Sequence, residues 1–560
     1  MPGDPKKQNT YDVIIIGSGI SGGWAAKELC EKGLKVLLLD RGRNMEHVKD
    51  YPTATMNPWD FKHRNTLTDE DKKKNFIQSR HFSYREDTKH FFINDQENKY
   101  NEPKRFDWIR GDIVGGRSLL WGRVCLRWSD FHFEANKRDG HGVDWPIRYK
   151  DLAPWYDYVE SFIGVSGNTD GIDTLPDGKF LPPFEMNSVE KDFKQKIETK
   201  YKDRHVIIGR VANLTKPVKG RGQCMARDLC HRGCPFGAYF STNASTMPAA
   251  YATGNLTVRP HSLVNKVIYD EKKQKAAGVE IIDTETKQTE EFYARLIFIN
   301  ASTVATSFIL LNSTSSRFPN GLGNGSDQLG RNLMDHHKGL AITGQADGFE
   351  DSYYYGRRPA GIYIPQFVNV KDKNSNFIRG YHFAGNAYRG RQAGDATIGV
   401  ELKEALTEPG PWQISLGAYG ECLPYAANRV TLDTNKKDQW GRPVITIDCE
   451  FKENERLMHE DIKRTGKEML EAAGFKNIAV NGSISFPGNA NHEMGTARMG
   501  HDPKTSVLNA FNQMHEVPNV FITDGSCMTS SSVLNPSLTY MALTARACDY
   551  AVSELKKQNL

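Results

Sequence analysis

A histidine and an asparagine near the end of the chain could perform acid–base chemistry. His492 lies in a glycine-flanked segment ending at Gly500, and Asn535 directly precedes Pro536. A neutral imidazole can accept a hydroxyl proton near neutral pH, because its ordinary pKa is about 6.5. An asparagine amide can donate to the same oxygen and stays uncharged. The two residues are a candidate acid–base pair; the alternatives are a packed histidine and a turn or helix-capping asparagine.

A glycine-rich turn near the start of the chain could bind a dinucleotide. Gly17, Gly19 and Gly22 form the pattern G-x-G-x-x-G. They would permit a tight turn, close approach of the backbone to a pyrophosphate, and close packing of helix on strand, respectively. Asp40 ends the next apolar segment, where a carboxylate can bind ribose hydroxyls and opposes the 2′-phosphate of NADP. The pattern favours FAD or NAD over a simple turn, but it does not separate these two cofactors.

A second glycine-rich segment contains Gly115, Gly116 and Ser118. A glycine pair beside a small hydroxyl residue allows backbone to approach a flat ring or a phosphate. On its own the segment also fits an ordinary tight loop.

These motifs together resemble those of the glucose–methanol–choline (GMC) flavin oxidoreductases. The turn at Gly17, the segment Gly115–Gly122, the segment around His492, and Asp524 followed by Asn535 occur in the family's order along nearly the whole chain. The chain is most similar to bacterial sugar dehydrogenases, including glucoside 3-dehydrogenases, and to pyranose oxidases. The resemblance implies FAD, with His492 as base, Asn535 as its partner and hydride transfer to the flavin N5.

The resemblance also implies further cofactor contacts. It places Asp524 and Gly525 near the ribityl and phosphate groups, Leu538 and Thr539 near the isoalloxazine, and the backbone of Val264 near the adenine. Some pyranose oxidases tether their flavin through a histidine at the position of Leu120. Because leucine cannot form that bond, we expect non-covalent FAD.

Three of the nine cysteines lie close together in the sequence, at Cys224, Cys230 and Cys234. The segment resembles the one that holds a [3Fe–4S] cluster in some bacterial FAD-dependent glucose dehydrogenases, with His231 as a candidate extra ligand. A zinc site, a disulfide plus one thiol, and plain packing are the alternatives. A cluster would pass electrons to an external acceptor, such as a small partner subunit or a separate cytochrome, because the chain has no C-x-x-C-H haem motif.

We therefore expect an FAD-dependent dehydrogenase that oxidises a hydroxyl of a sugar or glycoside, with the C3 hydroxyl as the favoured position. The alternatives are an oxidase that uses O₂, a non-catalytic flavin electron-transfer or binding subunit, and an NAD-dependent enzyme. Activity should rise with pH as His492 loses its proton.

Candidates for lining a polyol pocket are Tyr353–Tyr355, Arg357 and Trp412, for which surface or core positions are equally compatible. For the segment Asp335–His337 we favour packing over a metal pair, because adjacent residues do not share a helix face.

The pattern of apolar residues predicts an α/β fold: a Rossmann-like FAD-binding domain with an inserted, mainly antiparallel-sheet substrate domain (α+β). We assign residues 1–45, 105–130, 200–335 and 485–560 to the first domain, and residues 46–104, 131–199 and 336–484 to the second. Buried strands are predicted at Tyr11–Ile16, Lys35–Leu39, Leu296–Asn300 and Val520–Ile522; antiparallel strands at Leu256–Val258, Leu263–Tyr269, Gly278–Asp283, Glu291–Tyr293, Gly361–Val370, Gln413–Ala418 and Val444–Cys449; and helices at Trp24–Lys32, Ser302–Leu311, Asn454–Ala473 and Leu538–Leu555.

Bulk composition is that of a soluble globular chain. With 560 residues and 38% hydrophobic residues, two or more domains are expected. A net charge of +5 without a long Lys/Arg cluster does not indicate nucleic-acid or membrane-surface binding. No apolar run reaches membrane-spanning length, and the polar start does not fit a signal peptide. We therefore expect a cytoplasmic protein, or a periplasmic one if it is exported with a partner.

Overall fold

The computed structural model of the protein describes residues 9–352, 358–371, 376–391 and 398–560. Numbered along the chain, its strands are β1 (Thr10–Ile16), β2 (Val36–Leu39), β3 (Val165–Ser166), β4 (Phe180–Leu181), β5 (Ile207–Ile208), β6 (Leu256–Arg259), β7 (Ser262–Asp270), β8 (Lys275–Asp283), β9 (Thr289–Ile299), β10 (Leu340–Ala346), β11 (Ile362–Ile364), β12 (Tyr381–Arg389), β13 (Trp412–Gly420), β14 (Arg429–Lys437), β15 (Pro443–Asp448), β16 (Lys476–Gly482) and β17 (Val520–Ile522).

Its α-helices are α1 (Ile20–Glu31), α2 (Asp69–Lys74), α3 (Asp130–Phe133), α4 (Ala135–Asp139), α5 (Tyr149–Ile163), α6 (Ser188–Lys200), α7 (Thr246–Tyr251), α8 (Thr303–Asn312), α9 (Gly399–Ala405), α10 (Glu453–Ala472) and α11 (Ser537–Lys556). Between β2 and residue 104 the only helices are α2 and short 3-10 turns. Among the described residues, no helix has both the length and the apolar character that crossing a membrane requires.

A seven-stranded sheet forms the first layer of the fold. Its order is β6-β2-β1-β9-β8-β7, and β17 also pairs with β9. Strands β6, β2, β1, β9 and β17 run parallel, while β7 and β8 are antiparallel to their neighbours. Every residue of β2 and β17 is buried, which fits parallel strands covered on both faces. Helices α1 and α11 pack on each other beside this sheet.

Two predicted strands of this sheet differ from the observed ones. The predicted strands at Glu291–Tyr293 and Leu296–Asn300 are one continuous strand, β9, which pairs antiparallel with β8 and parallel with β1 and β17. The strand predicted at Leu256–Val258 is not antiparallel: β6 pairs in parallel with β2. The physical reason is that α7, which packs on α1, precedes β6 and acts as a crossover helix.

The second layer is a six-stranded antiparallel sheet, in the order β16-β10-β13-β12-β11-β5. Helix α10 packs on it through buried residues such as Met458, Ile462 and Met469. The strand predicted at Gly361–Val370 is shorter, since β11 covers only Ile362–Ile364. Strand β15 was predicted as part of this sheet, but it pairs with β14 in a separate hairpin.

The mixed architecture confirms the predicted fold class. Strands before residue 40, between residues 256 and 299, and at β17 build the first sheet, while most of the second sheet comes from residues 340–482. The chain thus leaves the first sheet and returns to it near its end. The domain boundaries given above stay a prediction.

Candidate functional site

A cavity of about 530 Å³ brings together residues from both ends of the chain. Its wall includes most of the residues that the sequence selected: Gly17, Gly19, Asp40, Gly116, Ser118, Val264, His492, Asp524, Gly525 and Asn535. The geometric reason lies in the first sheet, because the loops after parallel strands β1, β2 and β17 meet at one edge.

Four of the selected residues lie behind this wall rather than on it. A Cβ on Gly22 would lie 1.7 Å from the Gly17 carbonyl oxygen, so Gly22 permits close packing of α1 on β1, as predicted. A Cβ on Gly115 would lie 1.8 Å from Asn243 Oδ1. Leu538 and Thr539 are fully buried, and Thr539 Oγ1 is hydrogen-bonded to Tyr156 Oη at 2.9 Å. Ser537 and Tyr540 line the cavity at that end of α11 instead.

The two glycine-rich segments are joined by hydrogen bonds. The Gly115 N–H donates to Ser18 Oγ at 2.7 Å, and Ser18 donates from both its N–H and its hydroxyl to Asp40 Oδ2. Asp40 Oδ1 accepts the Gly42 N–H at 2.8 Å. Burial raises the pKa of the Asp40 carboxyl, while these donors lower it. Asp40 therefore holds the turns together, in addition to the ribose contact that the sequence suggested.

The cavity wall has the chemistry that a dinucleotide requires. A Cβ on Gly19 would meet no atom within 4 Å, so the backbone at the N-terminus of α1 is open to the cavity. The N–H groups and positive dipole end of a helix N-terminus favour phosphate. Asn300 Nδ2 and Tyr540 Oη, both from the wall, are buried without a hydrogen-bond partner in the described chain. The open backbone at the N-terminus of α1 is the feature of this wall that fits a phosphate group.

Asp524 lies on the same wall, directly after β17. Its Oδ1 accepts the Ser526 N–H at 2.9 Å, and its Oδ2 accepts the Thr306 hydroxyl at 2.6 Å. It thereby caps the 3-10 turn Gly525–Cys527 and fixes the loop beside the cavity. Burial raises the pKa of this carboxyl, partly offset by the hydrogen bonds.

His492 is held in the cavity wall by its backbone. Its N–H donates to Oδ1 of the fully buried Asp335 at 3.0 Å, and Asp335 Oδ2 accepts the N–H groups of Gly488 and Ala490. One carboxylate thus orders the loop that carries the histidine. Asn535 faces the same cavity from the start of α11.

The His492 imidazole is neutral at neutral pH. Burial lowers the pKa of His492 well below 6.5, and the neighbouring cationic or protonatable groups His336, Lys338, Arg117 and His382 lower it further. We therefore expect the rise of activity with pH to lie on the acid side, with the imidazole in its proton-accepting form at neutral pH.

Two histidines that the sequence did not assign to the site contact this region. His336 Nδ1 lies 2.8 Å from His492 Nδ1. His382 lines the cavity, stacks on Tyr419, and has its Nδ1 2.7 Å from the Val533 carbonyl oxygen. Burial lowers the pKa of His336 to about 4 and that of His382 to about 3, so both are neutral. The packing interpretation of Asp335–His337 agrees with the burial of these residues, but it missed the contact of His336 with His492. His382 lies within β12, and no sequence motif marked it.

A buried ion pair connects Glu493, the residue after His492, to Arg117 in the second glycine-rich segment. Arg117 donates to both carboxylate oxygens of Glu493, at 3.2 and 2.7 Å. The Glu493 side chain is 2% exposed, so the pair is shielded from water on the carboxylate side. The loop with His492 is thereby fixed relative to the glycine pair.

Comparison with known proteins assigns the chain to a family. Two family models described as GMC oxidoreductase match residues 11–338 and 424–544. The chain belongs to the GMC oxidoreductase family. It is 29% identical to 2-methyl-1,2-propanediol dehydrogenase of Mycolicibacterium austroafricanum (96% of this chain, 94% of that protein) and 26% identical to the fructose dehydrogenase large subunit of Gluconobacter japonicus (98% of each).

Solved structures show the same fold. The structure of pyridoxine 4-oxidase from Mesorbium loti covers 97% of this chain and 99% of its own, with a TM-score of 0.59 and 15% identity. GMC oxidoreductases bind FAD and act on hydroxyl groups of alcohols and sugars. The GMC assignment therefore identifies the dinucleotide class that the cavity fits, and it makes this chain an oxidoreductase.

A second cavity of about 470 Å³ adjoins the first in this GMC protein, since Arg123, His231, Ala384 and Tyr419 line both. Arg123 is 7% exposed, and its Nε and Nη1 find no acceptor within the described residues. Asn213 Oδ1, from the same cavity, is likewise buried without a donor. The second cavity is thus lined by polar as well as apolar side chains.

The three clustered cysteines lie in the wall of the second cavity as free, half-buried thiols. Burial raises the pKa of Cys224 and Cys234, which keeps these thiols protonated. Across the described ranges, no three His, Cys, Asp or Glu side chains are arranged to hold a metal ion. The expected iron–sulfur cluster at Cys224, Cys230 and Cys234 is therefore not supported, because the required set of ligands is not assembled.

Of the candidates for lining a polyol pocket, Trp412 lies within the described residues. Trp412 is buried in the core of the second sheet, and its Nε1 donates to the Phe349 carbonyl oxygen at 3.0 Å. It lines neither of the two cavities. Tyr353–Tyr355 and Arg357 lie outside the described residues.

Proposed function

We propose that this GMC protein is an FAD-dependent dehydrogenase that oxidises a secondary hydroxyl of a sugar or glycoside, at C3, to a ketone. The observation that carries the proposal is the cavity itself. It places a neutral histidine and an asparagine on the same wall as the two glycine-rich segments. The choice of sugar and of carbon follows the sequence resemblance stated above.

His492 and Asn535 perform the proton chemistry in this proposal. Asn535 donates its amide N–H to the substrate oxygen, and His492 accepts the hydroxyl proton. The electron pair left on oxygen forms the C=O bond while the hydrogen on carbon departs with its own electron pair. Bound FAD supplies the two-electron oxidant for this reaction. The products are a ketone and a protonated His492, which returns its proton to solvent.

The second cavity supports a hydroxyl-rich substrate. Polar side chains in its wall, among them Arg123, Asn386 and Tyr419, would offer hydrogen-bonding groups to sugar hydroxyls. The volume of about 470 Å³ lies within the usual range of small-molecule sites.

We also propose that the FAD is bound non-covalently. Leu120 occupies the tethering position and lines the cavity with a side chain that cannot form the bond. After acid precipitation of the purified protein, the flavin should appear in the supernatant. Flavin that stays in the precipitated protein would overturn this part of the proposal.

The electron acceptor is proposed to be an external carrier rather than O₂. One relative is named as the large subunit of fructose dehydrogenase, which supports a partner subunit or a separate electron-accepting protein. Stopped-flow reoxidation of the reduced enzyme by a quinone or dye should be faster than reoxidation by O₂. Faster reoxidation by O₂ would support an oxidase instead.

The test of the function is anaerobic bleaching of the flavin by a set of sugars and glycosides, followed by product analysis. His492→Ala should bind FAD but lose about 10²- to 10⁴-fold in the rate of flavin reduction. His501→Ala is the matched control, because His501 is an exposed histidine nearby in the chain. Undiminished reduction in His492→Ala would refute the assignment of the base, and the absence of bleaching by any sugar would favour a non-catalytic flavoprotein.

A further inference from the structure

The hydrogen-bond partners of His336 fix which of its nitrogens carries the proton. Its Nε2 lies 2.8 Å from the carbonyl oxygen of Ser532 and 3.3 Å from that of Ser531. Carbonyl oxygens only accept hydrogen bonds, so Nε2 of His336 must be the donor.

The other nitrogen of His336 must therefore be an acceptor. The His336 ring is fully buried, and burial lowers its pKa to about 4, so it carries one proton at neutral pH. With that proton on Nε2, the lone pair is on Nδ1. Since Nδ1 lies 2.8 Å from His492 Nδ1, the hydrogen of this bond belongs to His492.

The hydrogen bond to His336 then fixes the tautomer of His492. Its ring is neutral and holds its proton on Nδ1, which leaves the lone pair on Nε2. Nε2 makes no hydrogen bond to any of the residues that the structure describes, and the ring lines the cavity. The nitrogen available to a substrate hydroxyl is thus the one that can accept its proton.

We propose that His336 is a positioning residue that sets the tautomer of His492, with the Ser531 and Ser532 carbonyls setting the tautomer of His336. The effect of the His492 tautomer on catalysis rests on the proposed function of His492 as the base.

A neutral acceptor at this place differs from the carboxylate that orients many catalytic histidines. Asp335 is close by, but it binds the backbone N–H of His492 and not the ring. A carboxylate on the ring would stabilise the protonated imidazole and raise its pKa. His336 fixes the orientation and the tautomer without adding a charge, and so keeps His492 a proton acceptor.

The test is nitrogen NMR of the FAD-bound enzyme labelled with ¹⁵N-histidine, with the His492 resonances identified by their loss in His492→Asn. Wild type should show a protonated, pyrrole-type Nδ1 and an unprotonated, pyridine-type Nε2 for His492. The reverse pattern would overturn the proposal, and this readout needs no turnover.

Substitutions of His336 supply the second readout. His336→Asn keeps an acceptor oxygen near the Nδ1 position, so it should retain the His492 tautomer and most of the rate of flavin reduction. His336→Leu should give His492 a mixture of tautomers and slow reduction by at least about tenfold, less than the ~10²–10⁴-fold loss expected when the base itself is removed. A wild-type tautomer in His336→Leu would contradict the proposal, and the wild-type spectrum alone decides if that variant does not fold.

His337→Leu is the matched control. His337 is the adjacent buried histidine, and its Nε2 contacts Met458 Sδ rather than His492. This variant should leave the His492 spectrum unchanged; an altered tautomer would mean that general packing, and not the bond to His336, sets it. Full flavin reduction by His492→Ala together with the expected wild-type spectrum would refute the proposed base while leaving the tautomer assignment intact.

Discussion

Gly19→Ala should weaken FAD binding while leaving the stability of the apoprotein nearly unchanged. A Cβ at Gly19 would meet no protein atom within 4 Å, and the residue has φ −63° and ψ −160°, which alanine can adopt. Replacing glycine by alanine at the N-cap of α1 destabilises the fold by up to about 1 kcal/mol, and the smaller conformational freedom of the unfolded chain offsets this by about 0.4–1 kcal/mol. We therefore expect the free energy of unfolding of the apoprotein to change by less than about 1 kcal/mol.

The same methyl group points into the space where the helix N-terminus would meet the pyrophosphate. Inserting a methyl into a close contact costs about 1–3 kcal/mol. Because 1.4 kcal/mol corresponds to a factor of ten, the Kd for FAD should rise about 5- to 150-fold. Titration of the apoprotein with FAD, followed by quenching of flavin fluorescence, measures this Kd, and thermal unfolding of the apoprotein measures the stability.

Two glycines provide the controls. Gly390→Ala also adds a Cβ that meets nothing within 4 Å, but Gly390 lies away from the cavity, so both Kd and stability should stay near wild type. In Gly22→Ala the Cβ would lie 1.7 Å from the Gly17 carbonyl oxygen, so the apoprotein itself should be destabilised. Wild-type affinity for FAD in Gly19→Ala, or an equal loss in Gly390→Ala, would refute the reasoning.

Three further outcomes follow from the site. The rate constant for flavin reduction, divided by the substrate Kd, should lose nothing to protonation of His492 above pH 6.5, because burial lowers the pKa of His492 well below 6.5. Burial raises the pKa of Asp335, which holds the His492 loop, to about 7, so a midpoint near pH 7 that disappears in Asp335→Asn belongs to Asp335, and one that persists in this variant would contradict the prediction. Tyr540→Phe removes a buried hydroxyl that has no hydrogen-bond partner in the described chain, so the free energy of unfolding should not fall; a loss of more than about 1 kcal/mol in thermal unfolding of the apoprotein would contradict this. Arg123→Met should raise the KM for a sugar about 10- to 100-fold with little change in kcat, since it removes a guanidinium group from the wall of the second cavity; steady-state kinetics with an unchanged KM would argue against the second cavity as the sugar site.

Local sequence patterns were enough to predict the elements of the first sheet that lie nearest to the cofactor cavity. Four consecutive buried apolar residues identify β2, and the glycine spacing identifies the turn before α1. Such patterns extend over only a few residues, so they do not show which strands pair with each other. This is why β9 was divided into two strands and why the parallel pairing of β6 was missed.

The same limit applies to the site. Glycine, histidine and asparagine motifs identified Gly17, His492 and Asn535, because these residues carry their chemistry in local sequence. Thr539 was assigned to the cavity one residue away from Tyr540, which lines it, since a helix turns about 100° per residue. The cysteine spacing likewise could not show that the three thiols fail to form a ligand set.

By itself, the sequence determined the α/β class, and it singled out the glycine-rich turn and the two residues proposed to remove and hold a substrate proton. Only the tertiary structure decided the state in which those residues act. The neutral ring of His492 results from burial among His336, Lys338, Arg117 and His382, and its tautomer from one hydrogen bond to His336. The pKa and tautomer of a side chain depend on groups that are adjacent in space, and His336 is separated from His492 by 156 positions along the chain.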